Sequence, residues 1–229
     1  MKPKLTSVIM TCRIRNKTEA HMTMTAIDMI TKFTNPNEYE LIVVDPEPFE
    51  NIRDDYKTLK IDKHLHPSPD PDYASCMNLG AKEAKGKYLI FIQNDVFVPD
   101  NWLPNLRQYI ESGKFDVVFA TQFPKTREYV LARKNLDPFD PFCMNEARDA
   151  GLIMMTREIF DKAGGWPEGM SILADGDMYV RLEKAGCRQV GTSKVYIAHI
   201  MGATNWMQYH VDKSAYDKRM GKDAKKLNG

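Results

Sequence analysis

Cysteine is scarce in this chain, and its spacing excludes the usual thiolate metal sites. Cys12, Cys76, Cys143 and Cys187 are scattered, with no C-x-x-C pair. Reduced thiols acting as small apolar residues are therefore expected, not a structural zinc centre. Long hydrophobic runs are also missing: nothing approaches the ~20 apolar residues that span a bilayer. The basic start, Met1-Lys2-Pro3-Lys4, is followed by an apolar stretch from Ser7 to Met10 that is too short for a signal-peptide core. A cytoplasmic protein without membrane insertion is expected. Neither sign of charge dominates, with 32 Lys and Arg against 31 Asp and Glu and a net charge of +1. That balance gives no global pull toward nucleic acid or membrane, although a local patch can hide in a neutral total. Internal repeats and low-complexity segments are absent.

What remains is an ordinary globular composition, 43% hydrophobic and 28% charged over 229 residues, which suits one α/β domain. Thr6 to Thr11 (TSVIMT) reads as a buried strand. Asn16 then has the character of a helix N-cap, with Glu19 three residues on completing a capping box. Ala20, Met24, Ile27, Ile30 and Phe33 recur at helical steps until Asn35-Pro36-Asn37 stops them. A second strand, Tyr39 to Val44, ends at Asp45, giving a β-α-β unit and a mostly parallel sheet.

The alternation continues with a weak strand from Ile61 to Leu65, a helix from Tyr73 to Lys85 closed by Gly86 as its C′ residue, and a strand from Tyr88 to Ile92 running into Gln93-Asn94-Asp95. A helix near Pro99 to Gly113 and a strand from Asp116 to Ala120 come next. From Pro124 to Arg148 no period is visible, and a long acceptor-side loop is expected. The regular pattern returns with the strand GLIMM, a helix from Arg157 to Ala163, a Gly-Gly-Trp-Pro turn, a helix from Asp175-Gly176-Asp177 through Ala185, and strands to Ala198. The end, Met207 to Gly229, holds six Lys or Arg against three Asp and reads as helix-capable but frayed. Its cations fit either a polyanion such as DNA or plain solvation.

Asp45, Asp95, Asp175 with Asp177, and His199 all fall just beyond strand ends or at a helix start, where α/β sheets bind ligands. Singly, each is as readily a turn or cap residue. In order, the pieces SVIMTCRIRN, LIVVD, CMNLGAKEAKGKYLIFIQNDVFVPDNWL, DAGLIMMTREIFDKAGGWPEG, LADGDMYVRLEKAGC and HIMGATN resemble the family 2 glycosyltransferases of the GT-A fold. The likeness runs over roughly residues 4–204.

That resemblance implies a single-domain GT-A (Rossmann-like) α/β fold with a mixed, mostly parallel sheet flanked by helices. A nucleotide-sugar half would span 1–98, an acceptor-side half 99–206, and a basic tail 207–229. It implies a metal-dependent, inverting transfer of a sugar from a UDP-sugar to a hydroxyl acceptor, whether DNA base, polysaccharide or protein. Mn²⁺ or Mg²⁺ would be the cofactor, held by Asp95 and His199, since Mn²⁺ accepts imidazole as well as carboxylate. Asp175 matches the catalytic base. Asp177 is an alternative base or the helix N-cap. Asp45 would accept a nucleobase imide N–H. Thr11, Arg13, Asn78 and Asn94 would line the nucleotide site, Arg13 pairing with a phosphate or standing solvated. Trp166 either stacks on a sugar or packs in the core.

The sequence departs from the family in three places. Only the last carboxylate of the D-x-D position is kept, in Gln93-Asn94-Asp95. Asp45-Pro46-Glu47-Pro48 replaces a serine-containing acidic turn, and Ala174 stands where a supporting glutamate is usual. Two other classes fit less well. A nucleotidyltransferase would want a glycine-rich loop where TCRIRNKTE stands, and a degenerate binding module has no need to keep Asp95, Asp175 and His199 together.

Overall fold

The computed structural model describes residues 5–46, 58–67, 71–123, 151–200 and 213–227. The loop expected at Pro124 to Arg148 lies outside them. Strands β1 (Thr6–Thr11), β2 (Tyr39–Val44), β3 (Lys63–Leu65), β4 (Tyr88–Gln93), β5 (Val96–Phe97), β6 (Val117–Phe123), β7 (Leu152–Thr156) and β8 (Gln189–His199) form one sheet in the order β3-β2-β1-β4-β7-β6-β8-β5. The β3-β2-β1-β4 half is parallel throughout, while β7 runs antiparallel to both β4 and β6. The expected mixed, mostly parallel α/β sheet is therefore observed.

Short apolar strands with no polar alternation are what a sheet covered on both faces requires. Val8, Met10, Ile90 and Ile92 point into one core with α1 (Lys17–Lys32) and α3 (Trp102–Glu111). Their neighbours Ile9, Leu89 and Phe91 point into the other, with α2 (Tyr73–Glu83), α4 (Arg157–Lys162) and α5 (Ala174–Lys184). The period-2 geometry of a strand thus feeds both layers from one continuous run.

Helix α1 starts as the sequence requires. Asn16 Oδ1 accepts the N–H groups of Thr18 and Glu19, both at 3.0 Å. The Glu19 carboxylate reaches back to accept the Arg15 N–H at 2.6 Å. The end of α2 differs from expectation. Its cap residue, Ala84, is extended, and Gly86 is absent from the positive-φ glycines. Gly86 is required by space instead: a Cβ there would lie 2.6 Å from the Ser7 nitrogen.

The C-terminal segment also differs. The helix-capable start expected there is observed, and it extends further than expected, as α6 over Lys213–Leu227. Asp223, 1% exposed, accepts the backbone N–H groups of Ser171, Ile172 and Leu173 at 3.0, 2.6 and 3.1 Å. Lys226 Nζ donates to the Glu168 carbonyl at 2.8 Å. Helix α5 has Leu173 at its N-cap, with no capping side chain of its own. The carboxylate of α6 therefore ties down the segment that leads into α5, at the helix end where negative charge is favoured.

Candidate active site

Strands β1, β2 and β4 end level with one another, since Thr11 is in register with both Val44 and Gln93. The chain leaving each strand thus opens onto a common edge, the ordinary ligand edge of a parallel sheet. Next to β4, the pairing of Val96 with His199 brings β8 alongside the turn that carries Asp95. The Asp95 carbonyl accepts the Ile200 N–H at 3.0 Å, which fixes the crossing.

The two expected metal ligands meet here. His199 Nε2 lies 3.3 Å from Asp95 Oδ1 and 3.2 Å from Gln93 Oε1. Both side chains are nearly buried, at 6% and 5% exposure, and Asp95 Oδ1 makes no aligned hydrogen bond among the described residues. An imidazole nitrogen 3.2–3.3 Å from each oxygen is spaced as neighbouring ligands on a dication with bonds of about 2.1 Å would be. Gln93, which occupies the first position of the D-x-D match, thus brings an amide oxygen beside the imidazole. Asn94 faces the other way, donating to Thr23 Oγ1 at 2.9 Å and tying the turn to α1.

Tyr73, the first residue of α2, links this cluster to the acceptor side. Its phenol is held protonated well above the usual tyrosine range, first by burial and then by the charges of Asp175 and Asp95, with Gln93 acting in the opposite sense. The sequence reading missed Tyr73, because a tyrosine at a helix start carries no signal of its own. Asp175, at the start of α5, accepts the Gly176 N–H at 2.9 Å.

Asp177 is not the N-cap. Its N–H already donates to the Leu173 carbonyl at 3.3 Å, and its carboxylate is paired with Arg181 one turn on. Trp166 takes the core alternative. It is 1% exposed, with its ring edge-on to Tyr73 at 5.5 Å and to Phe91 at 5.4 Å, leaving no face for a sugar. Asn78 spans from α2 to the Gly-Gly-Trp-Pro turn. Its Oδ1 accepts the Trp166 N–H at 2.9 Å, and its Nδ2 donates to the Trp166 carbonyl at 3.0 Å. Arg13 is not simply solvated, since Nη2 donates to the Pro71 carbonyl at 2.8 Å.

A second group lies further along the same edge. Asp45, fully buried, has neither carboxylate oxygen in a hydrogen bond among the described residues. His64 Nε2 is 3.7 Å from its Oδ2, and His66 Nδ1 is 3.1 Å from its main-chain oxygen. The two imidazoles, one in β3 and one just past its end, lie together with ring centroids 4.2 Å apart. That H-x-H pattern was the available sequence signal, unused because β3 itself is weak.

Comparison with known proteins bears on the fold. The chain superimposes on a mannosyltransferase, PcManGT from Pyrobaculum calidifontis, in complex with GDP-Man and Mn²⁺, with a TM-score of 0.70 at 16% identity. It also matches GalNAc-T7 with UDP, GalNAc and Mn²⁺, with a TM-score of 0.66 at 16% identity. These alignments take in 99% and 86% of this chain but only 65% and 44% of the two neighbours, so it spans well under their full length. At such identity they establish the fold. No curated protein matches the sequence. No described helix is long and apolar enough to cross a membrane. The profile of glycosyl transferase family 2 matches residues 7–164, more than half of the sequence, and the chain belongs to that family.

Proposed function

We propose that the chain is a metal-dependent, inverting glycosyltransferase that moves a sugar from a UDP-sugar to a hydroxyl acceptor, such as a DNA base, a polysaccharide or a protein. The observation that carries this reading is the convergence of Asp95 and Gln93 on His199 Nε2, beside a Tyr73 phenol on which the charges of both Asp175 and Asp95 bear. Asp95, His199 and Gln93 would hold Mn²⁺ or Mg²⁺, and the imidazole favours Mn²⁺. When bound, such an ion neutralises the charge that builds on a departing diphosphate.

The protein's own residues supply the rest. Asp175 is the general base that takes the proton of the attacking hydroxyl. Asp177 is committed to Arg181 and is the poorer choice. Tyr73 stays protonated under the charges of both acidic groups and can donate its O–H to a phosphate or sugar oxygen. Asp45 accepts the imide N–H of the base, which favours uridine over adenosine, and Thr11 and Arg13 line the adjoining edge. Asn94 and Asn78 act by fixing the turn under Asp95 and the turn at Trp166. Both neighbours hold a nucleoside diphosphate group together with Mn²⁺, one of them GDP-linked and the other UDP.

The test is calorimetric titration of UDP, GDP and ADP, with and without Mn²⁺, on the native chain and on Asp95→Ala. Metal-dependent binding of UDP that disappears in the variant is the expected result. Absence of binding by any of the three nucleotides, with or without Mn²⁺, would overturn the assignment.

A further inference from the structure

The buried carboxylate of Asp45 is costly as it stands. A charged group removed from water needs a partner, and an unpaired one is destabilising by several kcal/mol. Among the described residues, its carboxylate has no hydrogen bond, and the groups beside it are two imidazoles. Asp45, His64 and His66 each offer one ligand atom, and those atoms lie within 4.8 Å of one another. Around a four-coordinate ion with bonds of about 2.1 Å, ligand atoms sit roughly 3.4 Å apart. The 3.7 Å between His64 Nε2 and Asp45 Oδ2 needs little contraction to reach that spacing.

His66 is also oriented as metal-binding histidines are. With Nδ1–H donated to the Asp45 carbonyl at 3.1 Å, the other ring nitrogen carries the lone pair. The three residues run from the interior to the surface, with Asp45 buried and His66 exposed.

We propose that Asp45, His64 and His66 form a second metal site, separate from Asp95 and His199, that takes a borderline dication such as Zn²⁺. Two imidazoles and one carboxylate select zinc-like ions over Mg²⁺ or Ca²⁺, which want oxygen alone. Three protein ligands leave one position for water or an incoming group. Because Asp45 also serves base recognition in the reading above, an ion here excludes the nucleobase, and zinc acts as a competitive regulator of donor binding. The metal site does not depend on that reading; only the competition does.

The experiment is titration of the full chain, freed of metal by chelation, with Zn²⁺ against a chromophoric competitor. Asp95→Ala serves as the parent, so that the first site is silent. One equivalent of Zn²⁺ is expected to bind, and adding His66→Ala should weaken it at least tenfold. His66 is exposed, so that variant keeps its fold, which circular dichroism checks. Co²⁺ should give the visible absorption of a four-coordinate site in the parent and lose it in His64→Ala, while Mg²⁺ should not compete. Equal Zn²⁺ affinity in the parent and in both histidine variants would overturn the proposal, as would loss of all zinc binding on Asp95→Ala alone. Failure of the nucleotide titration with zinc binding intact would remove the donor reading and leave the metal site standing.

Discussion

Asp223 joins the C-terminal helix to the residues just before Asp175, and its removal is the sharpest test of that architecture. Its carboxylate accepts three backbone N–H groups, at 3.0, 2.6 and 3.1 Å. Hydrogen bonds to a charged group contribute about 1.5–3 kcal/mol each when the partner is left buried. Here α6 can lift away and return the three donors to water, so the net loss falls to about 1 kcal/mol per bond, or about 3 kcal/mol. Asp223→Ala should therefore release α6 before the sheet unfolds. Limited proteolysis should cut within Lys213–Leu227 in the variant and spare the native chain. Turnover should fall, because Leu173 and the start of α5 lose their anchor, while the affinity for UDP with Mn²⁺ stays unchanged. Asp223→Asn, which keeps one acceptor oxygen without the charge, should lie between the two. Equal protease resistance in Asp223→Ala and the native chain would refute the reasoning.

Asp175→Asn should lower kcat by about 10²–10⁴-fold, the usual contribution of a general base, with UDP binding preserved by calorimetry. Gly86→Ala should cost about 2–3 kcal/mol in urea denaturation, because the added Cβ would meet backbone at Ser7 that cannot give way. Asn78→Ala should lower stability by about 1–3 kcal/mol, since it leaves both polar groups of Trp166 without their partner. An unchanged urea midpoint would contradict that role. Asp116 is held below the ordinary aspartate value of 3.8, first by its hydrogen bond from the Arg188 side chain. Its contribution is therefore complete above that value and lost as pH falls through the depressed one. Arg188→Gln should flatten that part of the acid-unfolding curve and leave neutral pH little affected.

The strands and helices that were legible in the sequence were those with a local cause. β1 and β2 were visible as apolar runs ended by polar residues, and the start of α1 was visible because Asn16 and Glu19 sit three apart. The pairing of Asp95 with His199 was legible only through the ordered set of family motifs, since 104 residues separate them and no spacing rule connects β5 to β8. What was missed depends on partners distant in sequence. Asp223 looks like one acid in a basic tail until the open end of α5 is seen beside it. Gly86 looks like a helix terminator, yet it is small because β1 passes behind it. Trp166 stood between sugar platform and core residue, a choice made by the rings of Phe91 and Tyr73 and by nothing within its own turn.

These distant contacts also explain how the two halves of the site keep a fixed separation. The Gln93, Asp95 and His199 cluster hangs from β4 and β8, whereas Asp175 belongs to α5 across the second core. Between them, Asn78 locks α2 to the turn after α4 through both backbone groups of Trp166, and the indole then props the ring of Tyr73. Gly164 and Gly165 adopt φ of 78° and 70°, which lets that turn fold back toward α2 without the strain a side chain would bring. Behind the turn, Asp223 and Lys226 fasten the segment from Glu168 to Leu173. A hydroxyl attacking within about 3–3.5 Å of the sugar carbon needs its base and the leaving group held to a fraction of an ångström. The path from Asn78 through Trp166 to Tyr73, together with the anchor that Asp223 of α6 gives to the residues before α5, would hold Asp175, the proposed base, in a fixed place.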